Sequence, residues 1–141
     1  MASVADPVTV LVIDDNETNL RLIERIMGLQ ADAVLLTALD GGAGLELAAE
    51  RRPDLVLLDL NLPDRHGIDV LGHLREDPAT ASIPVVICTG DASDDLRRTC
   101  LDAGAAAYLT KPFELSELSE IIDQARLGTL PAFVRSDEAS T

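Results

Sequence analysis

The 141-residue sequence predicts an open, doubly wound α/β fold: (βα)5, with a five-stranded parallel sheet. Two observations carry that expectation. Short apolar runs of strand length alternate with segments of helical period, and most runs are continuous, as in a parallel sheet covered on both faces. Five strands are also too few to close an eight-stranded barrel.

The elements follow in order. Val8–Ile13 is the first predicted strand, and it stops on the pair Asp14-Asp15. Leu20, Ile23 and Met27 then share a helical face, with Gly28 where that helix should end. Ala33–Ala38 is the second strand. Asp40 is placed to cap a second helix that turns Ala43, Leu47 and Ala48 inward. "GGAG" at 41–44 lacks the Lys-Ser/Thr of a phosphate loop and the spacing of a dinucleotide fingerprint, so it reads as that helix's flexible start. Pro53 precedes the third strand, Leu55–Leu58, which ends on Asp59. A third helix carries Ile68, Leu71 and Leu74. Ile83–Cys88 is the fourth strand. The fourth helix, about Ser93 to Ala103, has a thin stripe of Leu96, Cys100 and Leu101 and ends near Gly104. Ala106–Leu109 is the fifth strand, and Pro112 follows it. The last helix sets Leu115, Leu118, Ile121, Ile122 and Ala125 on one stripe. Residues 1–7 are expected to be an N-terminal arm and 8–126 one domain. "LGTLPAFVRSDEAST" at 127–141 reads as a tail, partly docked through Phe133.

Composition narrows the partners. Eleven basic residues against twenty-five acidic ones leave a formal charge of −14. That field disfavours nucleic acid and anionic membranes, and favours cations or basic protein surfaces. With Tyr108, Phe113 and Phe133 the only aromatics, the core must be aliphatic. No apolar run approaches a membrane span, and the N-terminus has neither the basic start nor the apolar stretch of a signal peptide, so cytoplasm is the expected compartment. Cys88 and Cys100 have neither metal-ligand nor redox spacing and are expected to be reduced core residues.

A strand built for an oily interior has no structural need to finish on a charge. In open α/β sheets, however, ligands bind beyond the carboxyl ends of the strands. Strand one delivers Asp14 and Asp15 there, strand three Asp59, strand four Thr89, and strand five leads to Lys111. Three close carboxylates raise one another's pKa unless a cation sits among them. Hard oxygen donors suit Mg²⁺, which keeps several waters and takes phosphate oxygens for its remaining positions. With Lys111 and the Thr89 hydroxyl, such a site suits stabilisation of a transferring phosphoryl group, for which a carboxylate is a known acceptor.

"VLVIDDN", "LVLLDLNLPDRHG", "VVICTG" and "YLTKPF", in this order and at these separations, resemble the receiver domains of two-component response regulators. The resemblance covers roughly residues 8 to 126 and implies a flavodoxin-like sheet of strand order 2-1-3-4-5. It implies that Asp59 accepts a phosphoryl group from a histidine kinase or histidine phosphotransfer protein. It further implies Mg²⁺ held by Asp15, Asp59 and the backbone carbonyl of Asn61, with Asp14 acting through water. Lys111 would pair with phosphoryl oxygens, Thr89 would turn inward to bond them, and Tyr108 would follow between exposed and buried rotamers. Lys111-Pro112 resembles the family's cis peptide. Asn61 and Asp91, two positions past Asp59 and Thr89, stand where family members tune the phosphoryl lifetime. Leu62, His66 and Gly90 depart from the commonest pattern without removing a catalytic part.

Blander readings remain open: Thr89 as a cap of the fourth helix, Tyr108 as an ordinary half-buried aromatic, Lys111 as a solvated charge. His66 and His73 read as surface loop and helix residues. Two other function classes compete with the switch. Phosphatases resembling haloacid dehalogenases place a general-acid Asp two residues after the nucleophile; here that residue is Asn61. A pseudo-receiver would bind partners without chemistry, yet all five site residues are present. No output segment follows the domain, so a complete chain would be a stand-alone receiver acting by protein contact. If it is a fragment, the output lies elsewhere.

Overall fold

The structure, a computed structural model, describes residues 7–29 and 32–130. Five strands and five helices alternate: β1 (Val8–Ile13), α1 (Glu17–Gly28), β2 (Ala33–Ala38), α2 (Gly41–Arg51), β3 (Leu55–Leu58), α3 (Gly67–Glu76), β4 (Val85–Thr89), α4 (Asp94–Asp102), β5 (Ala107–Thr110) and α5 (Leu115–Leu127). All strand pairs are parallel, and the sheet order is β2-β1-β3-β4-β5. The doubly wound (βα)5 expectation therefore holds, including its strand order.

Aliphatic continuity in β1, β3 and β4 follows from covering both faces. Leu11, Ile13, Val56, Leu58, Val85 and Ile87 point to one side, where α2, α3 and α4 pack. Val10, Val12, Leu55, Leu57, Val86 and Cys88 point to the other, against α1 and α5. The two cysteines are buried and free. They sit in opposite layers, Cys88 with α1 and α5, Cys100 with α2 and α3, so the sheet separates them. Burial pushes the Cys88 thiol up to about 12 and the Cys100 thiol up to about 11, so both stay protonated near neutral pH.

Helix starts are locally encoded. Asn16, Asp40 and Ser93 cap α1, α2 and α4 through their side chains. His66 caps α3, its Nδ1 accepting from the Ile68 N–H at 3.1 Å. Beyond the predicted stripes, Ile26 and Val70 are also buried, on α1 and α3.

Two strands differ from expectation. β4 runs Val85–Thr89 rather than Ile83–Cys88. Pro84 has no N–H to give, and the Ile83 carbonyl is taken by the Arg75 guanidinium at 2.9 Å. β5 is displaced one residue, running Ala107–Thr110, with Tyr108 inside it. The expected start of α2 at "GGAG" is observed, but its glycines serve close packing. A Cβ on Gly44 would lie 2.5 Å from Ile13 Cδ1, and one on Gly41 2.8 Å from Val70 Cγ2. The expected docking of Phe133, and residues 1–6 of the arm, lie outside the described residues.

Candidate functional site

Strand register builds the site. Ile13 pairs with Leu58 across the adjacent strands β1 and β3, so the next residues, Asp14 and Asp59, leave the sheet side by side. The Asp59 N–H still donates to the Ile13 carbonyl at 3.0 Å, fixing that pairing. Thr89 pairs with Thr110 at the ends of β4 and β5, which brings Lys111 in from the far side. The Lys111 N–H donates to the Thr89 carbonyl at 2.7 Å, and the Lys111-Pro112 peptide is cis.

Asp14, Asp15 and Asp59 each offer one carboxylate oxygen within 4.8 Å of the others. Asp14 and Asp59 are buried and Asp15 is exposed, so the cluster opens to solvent on one side. Lys111 Nζ lies 2.9 Å from Asp14 Oδ2 and 3.7 Å from Asp59 Oδ1. Burial, followed by the neighbouring Asp14 charge, holds the Asp59 carboxyl above the usual carboxylate range. Lys111 and the Asn61 and Leu60 N–H groups oppose that rise without cancelling it. One ammonium thus does not neutralise the crowded acids, and an all-oxygen donor set of this kind fits a hard divalent cation such as Mg²⁺.

The remaining predicted residues lie around this cluster. Asn61 is exposed, and its N–H points at Asp59 Oδ1 at 3.4 Å. Thr89 is buried, and its Oγ1 accepts from the Asp91 N–H at 3.4 Å. It does not cap α4, because Ser93 does. Half-buried Tyr108 donates its hydroxyl to the Asp91 carbonyl at 2.7 Å. Asp91 therefore ties Thr89 through its N–H and Tyr108 through its C=O. Neither His66 nor His73 belongs to the carboxylate cluster.

Sequence reasoning missed Asn19. Its Nδ2 donates to Asp14 Oδ2 at 3.3 Å, while the Asn16 N–H donates to Asp14 Oδ1 at 2.9 Å. The signal was present as a second Asn one helical turn after the first, since the Asn16 side chain accepts from the Asn19 N–H.

Comparison with known proteins places this arrangement. A family model described as the response regulator receiver domain matches residues 10–123. The transcriptional regulatory protein KdpE of Mycobacterium tuberculosis is 43% identical over 131 residues, 93% of this chain and 53% of its own. The response regulator PleD of Caulobacter vibrioides is 40% identical over 88% of this chain and 26% of its own. The chain thus spans about half of the one relative and a quarter of the other. Among solved structures, the receiver domain of the Pseudomonas aeruginosa sensor histidine kinase PA1611 superposes with a TM-score of 0.77. That match has 28% identity and covers 85% of this chain and 98% of that one. A family match over most of the chain, a doubly wound sheet in the order 2-1-3-4-5 and acids at its carboxyl edge agree: this chain belongs to the receiver domains of two-component response regulators.

Proposed function

We propose that the chain is a phosphorylation-activated switch in which Asp59 accepts a phosphoryl group from a histidine kinase or histidine phosphotransfer protein. The observation that carries this reading is the convergence of three carboxylates and Lys111 at the carboxyl edge of the sheet. Asp15, Asp59 and the Asn61 backbone carbonyl would hold Mg²⁺, with Asp14 acting through water. The PA1611 receiver carries a magnesium ion in its active-site cleft, which supports that assignment. Bound there, the ion supplies charge neutralisation for the acids and the phosphoryl oxygens. An Asp59 oxygen forms the new O–P bond as the donor N–P bond breaks, the imidazole leaving with a proton. Lys111 pairs with a phosphoryl oxygen, and later attack by water returns the carboxylate and inorganic phosphate. Catalysis is confined to the domain's own phosphorylation and dephosphorylation.

The signal travels through Asp91. Once Thr89 Oγ1 turns to a phosphoryl oxygen, its bond to the Asp91 N–H is lost, and the Asp91 carbonyl that accepts from the Tyr108 hydroxyl moves with it. Tyr108 then follows inward, and the face of α4, β5 and α5 presents a different surface to an output protein or fused output domain. Phosphorylation biases a two-state element by differential contacts. Tyr108 is the sole Tyr, and the sequence has no Trp, so it is a clean reporter. Beryllofluoride with Mg²⁺, a phosphoryl mimic, is expected to shift its ring resonances, and Thr89→Ala to blunt that shift. Amide-exchange changes confined to 59–67, with 91–118 unaltered, would remove the support for this face.

Asn61 and Asp91 tune the phosphoryl lifetime in this reading, both small and polar and both exposed. Asp91→Arg, or Leu at Asn61, is expected to slow decay of the phosphorylated mass by shielding the phosphorus from water. Equal decay rates would place that control elsewhere. Residues 8–126 are the proposed receiver unit. No helix among the described residues is long and apolar enough to cross a membrane. With a charge of −14, partners are proteins rather than nucleic acid or membrane, and cytoplasm is the proposed compartment.

A further inference from the structure

We propose that the first turn of α2 and the side chain of Asp64 form a brace that sets the spacing between the two arms of the metal site, making Asp64 a positioning residue. The inference rests on the Mg²⁺ reading above. One arm is the end of β1, Ile13 followed by Asp14 and Asp15. The other is the loop after β3, which carries Asp59 and Asn61.

That loop is closed at its base. The Gly67 N–H donates to the Leu60 carbonyl at 2.7 Å, and Asn61 pairs with His66 in an isolated antiparallel bridge. A Cβ on Gly67 would sit 2.5 Å from the Asp59 carbonyl oxygen, so the base is packed directly on the end of β3. The tip stands out at the exposed residues Pro63 and Asp64. Asp64 secures it: Oδ1 accepts from the Gly41 N–H at 2.8 Å and Oδ2 from the Gly42 N–H at 2.9 Å. Those bonds, Gly41's first, hold the Asp64 carboxyl below the usual carboxylate range, so the tether is made in the ionised form.

A helix needs no such distant carboxylate in order to start. Asp40, the residue before α2, already accepts from the Ala43 N–H at 2.8 Å. The second cap spends its bonds on the first N–H groups of α2, which no helical carbonyl serves, and in doing so fastens the loop. The same turn touches the other arm. Gly44 lies so close to Ile13 that a Cβ would meet three of its side-chain atoms at 2.5–3.0 Å. "GGAG" thereby acquires a purpose. Gly41 and Gly42 present N–H groups to the loop, and Gly44 lets the helix settle on the residue before Asp14.

Mg²⁺ alone, titrated calorimetrically into the folded protein, tests the brace. Asp64→Ala is expected to weaken Mg²⁺ binding about tenfold, the scale on which outer-shell supports of metal ligands act. Asp64→Asn, which keeps one acceptor oxygen, should recover part of that loss. Asp40→Ala removes a cap from the same helix but leaves the tether, and should bind Mg²⁺ as wild type does. Unchanged binding in Asp64→Ala, or equal weakening in Asp40→Ala, would overturn the brace while Asp15→Asn still abolished wild-type binding. A wild-type protein that takes up no Mg²⁺ would overturn the metal reading, and the brace with it. If Asp64→Ala does not fold, Asp64→Asn against Asp40→Ala decides by the same comparison.

Discussion

Asp59→Asn is expected to abolish phosphoryl uptake from phosphoramidate or acetyl phosphate in the presence of Mg²⁺, and to raise the melting temperature of the metal-free protein. Most substitutions of a buried residue destabilise. Here the sign reverses. Burial and the Asp14 charge raise the Asp59 pKa, so the folded state binds this proton more readily than the unfolded chain. The ionised group therefore costs stability above its raised pKa, and that cost fades as pH falls through it. Asn has nearly the same shape and carries no charge, so the cost is removed. Lys111 loses one neighbour but keeps Asp14 at 2.9 Å. Loss of the adduct together with a gain in metal-free stability, largest near neutral pH, would identify Asp59 as an acceptor held under charge repulsion. An undiminished adduct, by intact mass, would remove it from that role.

Arg75→Met is expected to cost about 3 kcal/mol, since it strands main-chain acceptors that a charged donor now satisfies. In a domain of this size that is roughly a 10–15 °C fall in melting temperature. Arg75 projects from α3, half-buried, and donates to the carbonyls of Gly104, Ala81 and Ile83 at 2.9–3.0 Å. One guanidinium fork thus joins the end of α3, the approach to β4 and the turn between α4 and β5. Gly104, at φ +112, lies against it so closely that a Cβ would meet Arg75 Nε at 2.9 Å. Burial lowers the Arg75 pKa, yet a guanidinium remains charged at any ordinary pH. Arg75→Lys should recover little, because an ammonium cannot reach three carbonyls in one plane. A thermal melt of Arg75→Met matching wild type would show that these carbonyls find other partners.

These two residues also mark what the sequence discloses. Asp59 was legible because a fully aliphatic strand ended on an acid, and because strand one did the same. Parallel register then carried both acids to one edge. Arg75 was not legible. Its partners are carbonyls, which every residue has, and they come from three different connections. The start of β4 was misplaced for a related reason. Ile83 is apolar and buried, so periodicity counts it as strand, but its carbonyl belongs to Arg75 and the next residue is a proline. Hydrophobic pattern reports burial, not hydrogen bonding. "GGAG" was read as flexible because glycine is locally permissive. Its close contacts involve Ile13 and Val70, both remote in sequence. Asp64 likewise carries no local signal, its partners lying 22 and 23 positions upstream.

The acceptor itself is open to direct chemical mapping. Phosphoramidate and Mg²⁺ would be used to load the wild-type protein, borohydride to reduce the acyl phosphate to an alcohol, and peptide mass mapping to locate the change. The account predicts homoserine at position 59 alone, and none when Mg²⁺ is withheld. Reduction at Asp14 or Asp15 instead, or a phosphoryl group that survives borohydride on a hydroxyl, would contradict it.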